Sequence, residues 1–127
     1  MERAIFVTGT DTGVGKTVVT AALAGAMRRR GVDAGVMKPV ATGCAIVDGE
    51  TLCADTNFLR AAAGLTEPDF MITPVALEPP LAPSVAARRA AAPFTINQLT
   101  VGLEELLDRH DVVLVEGVGG LLVPLDD

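Results

Sequence analysis

The chain lacks any unbroken apolar stretch long enough to cross a bilayer; its apolar residues come in short runs interrupted by Gly and Pro, which argues against a membrane helix. The apolar run after Arg3 is too short for a signal peptide and leads directly into a Gly/Thr loop, so the cytoplasm is the expected compartment. Positive charge is also scarce. A formal net charge of -6 repels phosphate backbones and anionic lipid, so nucleic acid and membrane surfaces are not expected partners, and any anion must be held by local chemistry. The two cysteines, Cys44 and Cys53, have neither CxxC spacing nor a nearby histidine, and are expected to remain free thiols. The single histidine, His110, is expected to support a helix end and is assigned no catalysis. Lysine is rarer still against arginine: of ten basic residues eight are Arg, and only Lys16 and Lys38 are Lys. Each falls just after a predicted strand, where a compact ammonium on a flexible stem has uses that a guanidinium does not.

With 127 residues, 50% of them hydrophobic and 20% charged, the chain can bury one core, and residues 1–127 are expected to form a single α/β domain. Ala4-Ile5-Phe6-Val7 reads as a buried parallel strand ending at Thr8-Gly9. Helical composition begins near Lys16 and runs to Arg28-Arg29-Arg30, basic residues suited to the negative end of a helix, with Gly31 as a stop. A second strand over residues 33–37 follows a short turn, and strand, helix, strand in this order predicts a right-handed parallel crossover, the opening of a doubly wound sheet. Residues 55–63 read as a helix stopped by Gly64. Residues 73–83 hold four prolines and are expected to be irregular. A short helix over 84–92 is followed by a capping box, Thr95-Ile96-Asn97-Gln98, which opens a helix reaching Arg109; Val112-Val113-Leu114-Val115 is another buried strand. A new apolar run begins at Leu121, and so few strands leave an apolar sheet edge unpaired, from which the chain is expected to be a fragment of a longer protein.

The segment Gly9-Thr10-Asp11-Thr12-Gly13-Val14-Gly15-Lys16-Thr17 lies between a strand and a helix, the context that makes Gly-Lys-Thr a phosphate-binding loop. Backbone N–H groups and the positive helix end would hold the triphosphate of ATP, Lys16 would bridge the β- and γ-phosphates, and the Thr17 hydroxyl would ligate magnesium. Five positions separate Gly9 from Gly15, and Thr10 fills the usual first glycine position. Lys38-Pro39-Val40-Ala41-Thr42-Gly43 emerges at the carboxyl edge of the sheet, where Lys38 can reach the γ-phosphate or merely cap the strand end. Glu116-Gly117-Val118-Gly119-Gly120 leaves the same edge; the acid suits a magnesium-associated carboxylate, although an acid and glycines after a strand also make an ordinary loop. Asp55 sits in a first helical turn, where the dipole alone favours an acid.

In this order and at these distances, the three motifs resemble the dethiobiotin synthetase family, and the phosphate loop with five intervening residues is itself similar to that family's form. The resemblance spans essentially the whole chain, including Asp55 and the Pro-rich segment 78–84. It implies a three-layer P-loop NTPase fold with a mainly parallel sheet, incomplete in this chain. Gly13, Val14, Gly15, Lys16, Thr17 and Val18 become the phosphate cradle, with Asp55, Glu116, Gly117, Val118 and Gly119 completing the cofactor-binding set. Thr17, Asp55 and Glu116 become the magnesium-associated groups, Lys38 and Lys16 the catalytic lysines, and Thr12 and Thr42 contacts to the diamine 7,8-diaminopelargonate. The implied reaction uses ATP, Mg²⁺ and carbon dioxide to close a ureido ring, in a homodimer. Family members continue well past this length and draw base contacts and part of the dimer interface from later strands; Pro83-Ser84 stands where many relatives have Pro-His, so the role of that loop stays open. Cobyrinate-type amidoligases and partition-type ATPases share the loop and strand order, and a nucleotide-binding module without turnover is a third reading.

Overall fold

A computed structural model describes residues 3–11, 13 and 15–120. Its elements are β1 (Ala4–Val7), α1 (Lys16–Arg29), β2 (Ala34–Met37), β3 (Val40–Ala41), β4 (Ala45–Val47), β5 (Glu50–Leu52), α2 (Ala54–Ala63), α3 (Asp69–Ile72), β6 (Val75–Ala76), α4 (Pro83–Arg89), α5 (Ile96–Arg109) and β7 (Val112–Glu116). The apolar run from Leu121 onward lies outside the described residues. Local chemistry sets most of these boundaries. Gly64 takes the left-handed conformation at φ 63° and ends α2, with Leu65 N–H returning to the Arg60 carbonyl at 3.0 Å. Thr95 and Gln98 form the expected reciprocal capping box at the start of α5. At the end of α1, Arg28 does more than face solvent, since its guanidinium meets Asp33 at 2.9 Å and the Ala34 carbonyl at 3.0 Å.

The principal sheet is three-stranded and parallel in the order β1-β7-β2. The parallel direction of β1 and β2 agrees with the strand-helix-strand reading, but β7 lies between them. Register pairs Val7 with Glu116 and Met37 with Val115, so all three strands deliver their following loops to one edge. Alternation along the strands then divides the core in two. Val36 and Leu114 pack with Ala21, Ala24, Leu59 and Ala63 of α1 and α2 on one face, while Met37, Val113 and Val115 pack with Leu103, Leu106 and Leu107 of α5 on the other. Helices therefore cover both faces of β2 and β7, giving a three-layer α/β arrangement. By contrast β1, expected from its apolar run to be buried, is an exposed edge strand with Ile5 and Phe6 open to solvent, because no helix among the described residues packs on it. Two small ladders complete it: β3 pairs with β6 in parallel, so the Pro-rich segment expected to be irregular contributes a short strand, and β4 pairs with β5 in an antiparallel hairpin. Among the described residues no helix is long and apolar enough to cross a membrane.

At the opposite edge of the sheet, His110 terminates α5 and is itself buried. Its ring lies 2.9 Å from Asp33 through Nδ1 and 2.5 Å from Glu67 through Nε2, and it lies so close to Gly35 that a Cβ there would approach Cδ2 to 2.4 Å. The helix-end role expected of His110 thus extends to a polar clamp joining α5, β2 and the segment before α3. The His110 hydrogen bond holds the Asp33 carboxyl below its ordinary range despite partial burial. Burial works to raise Glu67, but its own backbone N–H and the His110 ring outweigh that and leave it lowered.

Carboxylates with depressed folded-state values stabilise the fold above the unfolded carboxylate range, about pH 4, and that contribution disappears as pH falls through the folded values. Urea midpoints are accordingly expected to decline on acidification below about pH 4, and Glu67→Gln to flatten the decline. A variant profile as steep as the parent's would remove Glu67 from the set of groups coupled to folding.

Candidate functional site

The loop between β1 and α1 carries an anion-site geometry in its backbone. Gly15, at φ 99°, is the residue before the helix, in a conformation that disfavours any side chain, and no side chain caps the helix. The first turn of α1 carries no acid of its own, and the positive end of the helix dipole faces the loop. Lys16 is buried to 9% exposure, and its ammonium folds back to donate to the Asp11 carbonyl at 2.9 Å. Thr12 and Val14 lie outside the described residues. The loop after β7 packs directly on this one: a Cβ on Gly120 would come within 2.8 Å of the Thr10 carbonyl oxygen.

Charged groups from three further segments converge beside the loop. Lys38 continues from β2, where its backbone N–H donates to the Ile72 carbonyl at 2.8 Å. Its ammonium lies 2.6 Å from Asp55 Oδ2 and 3.3 Å from Glu116 Oε1. Glu116 closes β7 and is 1% exposed; the Thr17 hydroxyl donates to its Oε1 at 2.6 Å. Its second oxygen, Oε2, is buried without a hydrogen-bond partner among the described residues. Asp55, by contrast, is half exposed in the first turn of α2.

A cavity of about 400 Å³ opens here, lined by Gly13, Gly15, Lys16, Thr17 and Val18 from the first loop and α1, Lys38 and Thr42 from the segment after β2, Asp55 from α2, and Gly117, Val118 and Gly119 from the loop after β7. The structure thus brings together every described candidate named from the sequence, with Glu116 at the cavity floor. A buried carboxylate, a hydroxyl and two ammonium groups thus converge beside the uncapped start of α1.

Two features were not read from the sequence. A buried hydrogen bond of 2.6 Å between the Thr56 and Thr73 hydroxyls ties α2 to the end of α3, steadying the residue beside Asp55. The second overturns the expectation of free thiols: Cys44 and Cys53 form a disulfide. Linear spacing concealed it, because the bridge depends on the β4–β5 hairpin. Asp48-Gly49 makes the turn with both residues at positive φ, 51° and 80°, as a tight two-residue hairpin loop requires. Ala45 faces Leu52, so Cys44 and Cys53 face each other at the hairpin neck with Cα atoms 4.6 Å apart. The Asp-Gly pair between short apolar runs was the signal available.

Residues 3–127 match the sequence profile of a family described as AAA domain. The chain belongs to the AAA domain family. Among curated proteins, this AAA-family chain is similar to the ATP-dependent dethiobiotin synthetase BioD of Thermodesulfovibrio yellowstonii, 44% identical over 126 residues that cover 99% of the chain and 52% of that protein. The protein of the same name from Anaeromyxobacter sp. is 47% identical over 125 residues, covering 98% of the chain and 54% of the relative. That from Nitrosospira multiformis is 44% identical over 127 residues, covering 100% and 54% respectively. The chain spans about half the length of the curated relatives it matches.

The contrast in burial between the two carboxylates of this AAA-family site has a measurable consequence. Removing Glu116 strips Lys38 of its buried partner, so Glu116→Ala is expected to lower unfolding free energy by about 3 kcal/mol. Asp55→Ala should cost less than about 1 kcal/mol, because water replaces an exposed partner. Denaturant titration of both variants measures the difference, and equal losses would contradict the assignment of Glu116 as the anchor.

Proposed function

We propose that the chain forms the phosphate-handling part of an ATP- and magnesium-dependent dethiobiotin synthetase, acting on 7,8-diaminopelargonate and carbon dioxide to give dethiobiotin, ADP and phosphate. One observation carries the reading: the Lys38 ammonium, the Glu116 carboxylate and the Thr17 hydroxyl meet within hydrogen-bond or ion-pair distance at the mouth of an uncapped loop-helix junction. The resemblance of the motifs and the names of the curated relatives support the substrate assignment.

In this reading the backbone around Gly13 and Gly15 and the start of α1 bind the phosphates, and Lys16 exchanges its bond to the Asp11 carbonyl for phosphate oxygen. Thr17, Asp55 and Glu116 would hold magnesium. Its chemistry, when bound, is to neutralise charge on the phosphate oxygens during transfer. The donors fit such an ion: all are oxygens, and Glu116 Oε2 is buried without a hydrogen-bond partner among the described residues. No cluster of three or more His, Cys, Asp or Glu able to hold a metal occurs among the described residues, so the cation would share its shell with phosphate and water, as magnesium commonly does.

The reaction begins with a carbamate formed from one amine and carbon dioxide. Phosphorylation activates it, and attack by the second amine closes the ring and expels phosphate. Thr42 and Thr12 orient the diamine in this scheme. Lys38, already held at the cavity by Asp55 and Glu116, stabilises the charge that develops on the transferred phosphoryl group. A homodimer in the cytoplasm, without nucleic-acid or membrane partners, completes the proposal.

Lys16→Ala should weaken binding of magnesium-ATP in calorimetry while the far-ultraviolet dichroism stays that of the parent; unchanged affinity in a folded variant would sink the phosphate-loop assignment. Lys38→Ala in the full-length protein should reduce ring closure on the order of 10²–10³-fold with little change in ATP affinity, because the contact matters most in the transition state. Lys38→Arg should recover only part of the rate, since a planar fork replaces a point charge poorly. Dethiobiotin formation by Lys38→Ala at the parent rate would overturn the catalytic role given to Lys38, whereas a parent protein that forms no dethiobiotin would favour an amidoligase or a module without turnover.

A further inference from the structure

The walls of the cavity are not equally well held. Lys16, Lys38 and Glu116 stand on or beside the parallel sheet and are buried. Thr42 instead lies between the two-residue β3–β6 ladder and the β4–β5 hairpin. That hairpin pairs only with itself in the described sheets, and all three residues of β4 are exposed. So short an isolated hairpin has little stability of its own, and such elements open locally at low cost. The Asp48-Gly49 turn closes one end, and the Cys44–Cys53 disulfide closes the other.

The bridge joins two walls of the site. Cys44 lies just beyond Thr42, and its backbone N–H donates to the Leu77 carbonyl at 3.0 Å. Cys53 is the residue capping α2, whose first turn carries Asp55. Both sulfurs belong to a small buried cluster with Ala41 and Ala76. The α2 wall has other ties, through Lys38 to Asp55 and Thr56 to Thr73. The Thr42 wall is tied by backbone bonds to the segment after β6, from Gly43 N–H to the Pro79 carbonyl and from Leu77 N–H to the Ala41 carbonyl, and the bridge adds a covalent tie from this wall to the start of α2.

We propose that Cys44 and Cys53 form a positioning clasp that fixes Thr42 relative to Asp55, so that the cavity's hold on its small-molecule substrate follows the redox state of the pair. This rests on the reading of Thr42 as a substrate contact. The switching step is thiol–disulfide exchange with a dithiol reductant: its two electrons and two protons pass to the bridge, the S–S bond breaks to two thiols, and the reductant is left as a disulfide. A small-molecule disulfide drives the reverse. In reducing compartments disulfides are characteristically transient and redox-sensing, which suits a clasp at a site rather than a permanent staple. The phosphate-binding wall stands on the sheet and keeps its geometry in both states. Loss of preorganisation on one wall raises KM for the diamine and leaves ATP affinity alone.

Full-length protein prepared without reductant is unfolded in guanidinium chloride, treated with iodoacetamide with and without prior dithiothreitol, and weighed by mass spectrometry. Protection of both cysteines until reduction is expected; alkylation of both without reduction overturns the clasp. Reduction, and separately the double substitution Cys44→Ser with Cys53→Ser, should raise the diamine KM roughly 10-fold while the ATP Kd stays within about twofold. Reoxidation should restore the parent KM in the reduced protein and leave the double variant unchanged. Equal KM in all states overturns the proposal, as does a parallel loss of ATP affinity. If the parent forms no dethiobiotin, the functional reading fails by itself, and hydrogen exchange over residues 42–55 decides the clasp: faster exchange on reduction sustains it, and unchanged exchange overturns it.

Discussion

Glu116 is a carboxylate at the end of the central strand, inside the protein, with one oxygen shared by an ammonium and a hydroxyl and the other without a hydrogen-bond partner among the described residues. Burying a charge in this way is unfavourable unless it is paired and hydrogen-bonded. The surrounding architecture supplies those partners from different parts of the chain. Thr17 comes from the first turn of α1, and Lys38 from the residue after β2. These groups can meet only because β7 lies between β1 and β2 and all three strands end at one edge. Strand order, helix placement and site chemistry are therefore one constraint seen at three scales.

Sheet polarity also separates two kinds of polar cluster. At the carboxyl edge the charges face a cavity. At the other edge His110 is fitted between Asp33 and Glu67 against a glycine, with no space for a ligand at Gly35. Both clusters are buried, but only the first adjoins the cavity between the carboxyl-edge loops. The placement of a polar group relative to the strand ends thus separates the candidate site from the His110 clamp, as open parallel sheets lead one to expect.

Local signals in the sequence located much of this. The apolar runs at Ala4 and Val112, the glycine after Ala63 and the capping box at Thr95 each fix an element through chemistry within a few residues, and the corresponding elements are present. The candidate residues Lys16, Lys38 and Glu116 could be named because each follows a strand or opens a helix at a position where ligands meet open sheets, whereas Asp55 was named only through the family resemblance. Which strand lies in the middle was not legible, since β7 reaches its place through pairing far along the chain. The partners of His110 were hidden for the same reason, as Glu67 and Asp33 are remote in sequence. The hairpin was a different kind of omission: Asp48-Gly49 is a local signal, and without the turn the cysteines on either side looked unrelated.

The contact between Gly120 and Thr10 bears on how the site can move. With the Thr10 carbonyl oxygen 2.8 Å from where a Cβ on Gly120 would stand, the loop after β7 rests on the loop after β1 by main-chain contact at this point. Backbones in such contact cannot slide independently without opening a void or colliding. The two glycine-rich loops therefore behave as a single jaw. A displacement of Thr10 is thus transmitted through main-chain contact to Gly120, in the segment that leaves Glu116.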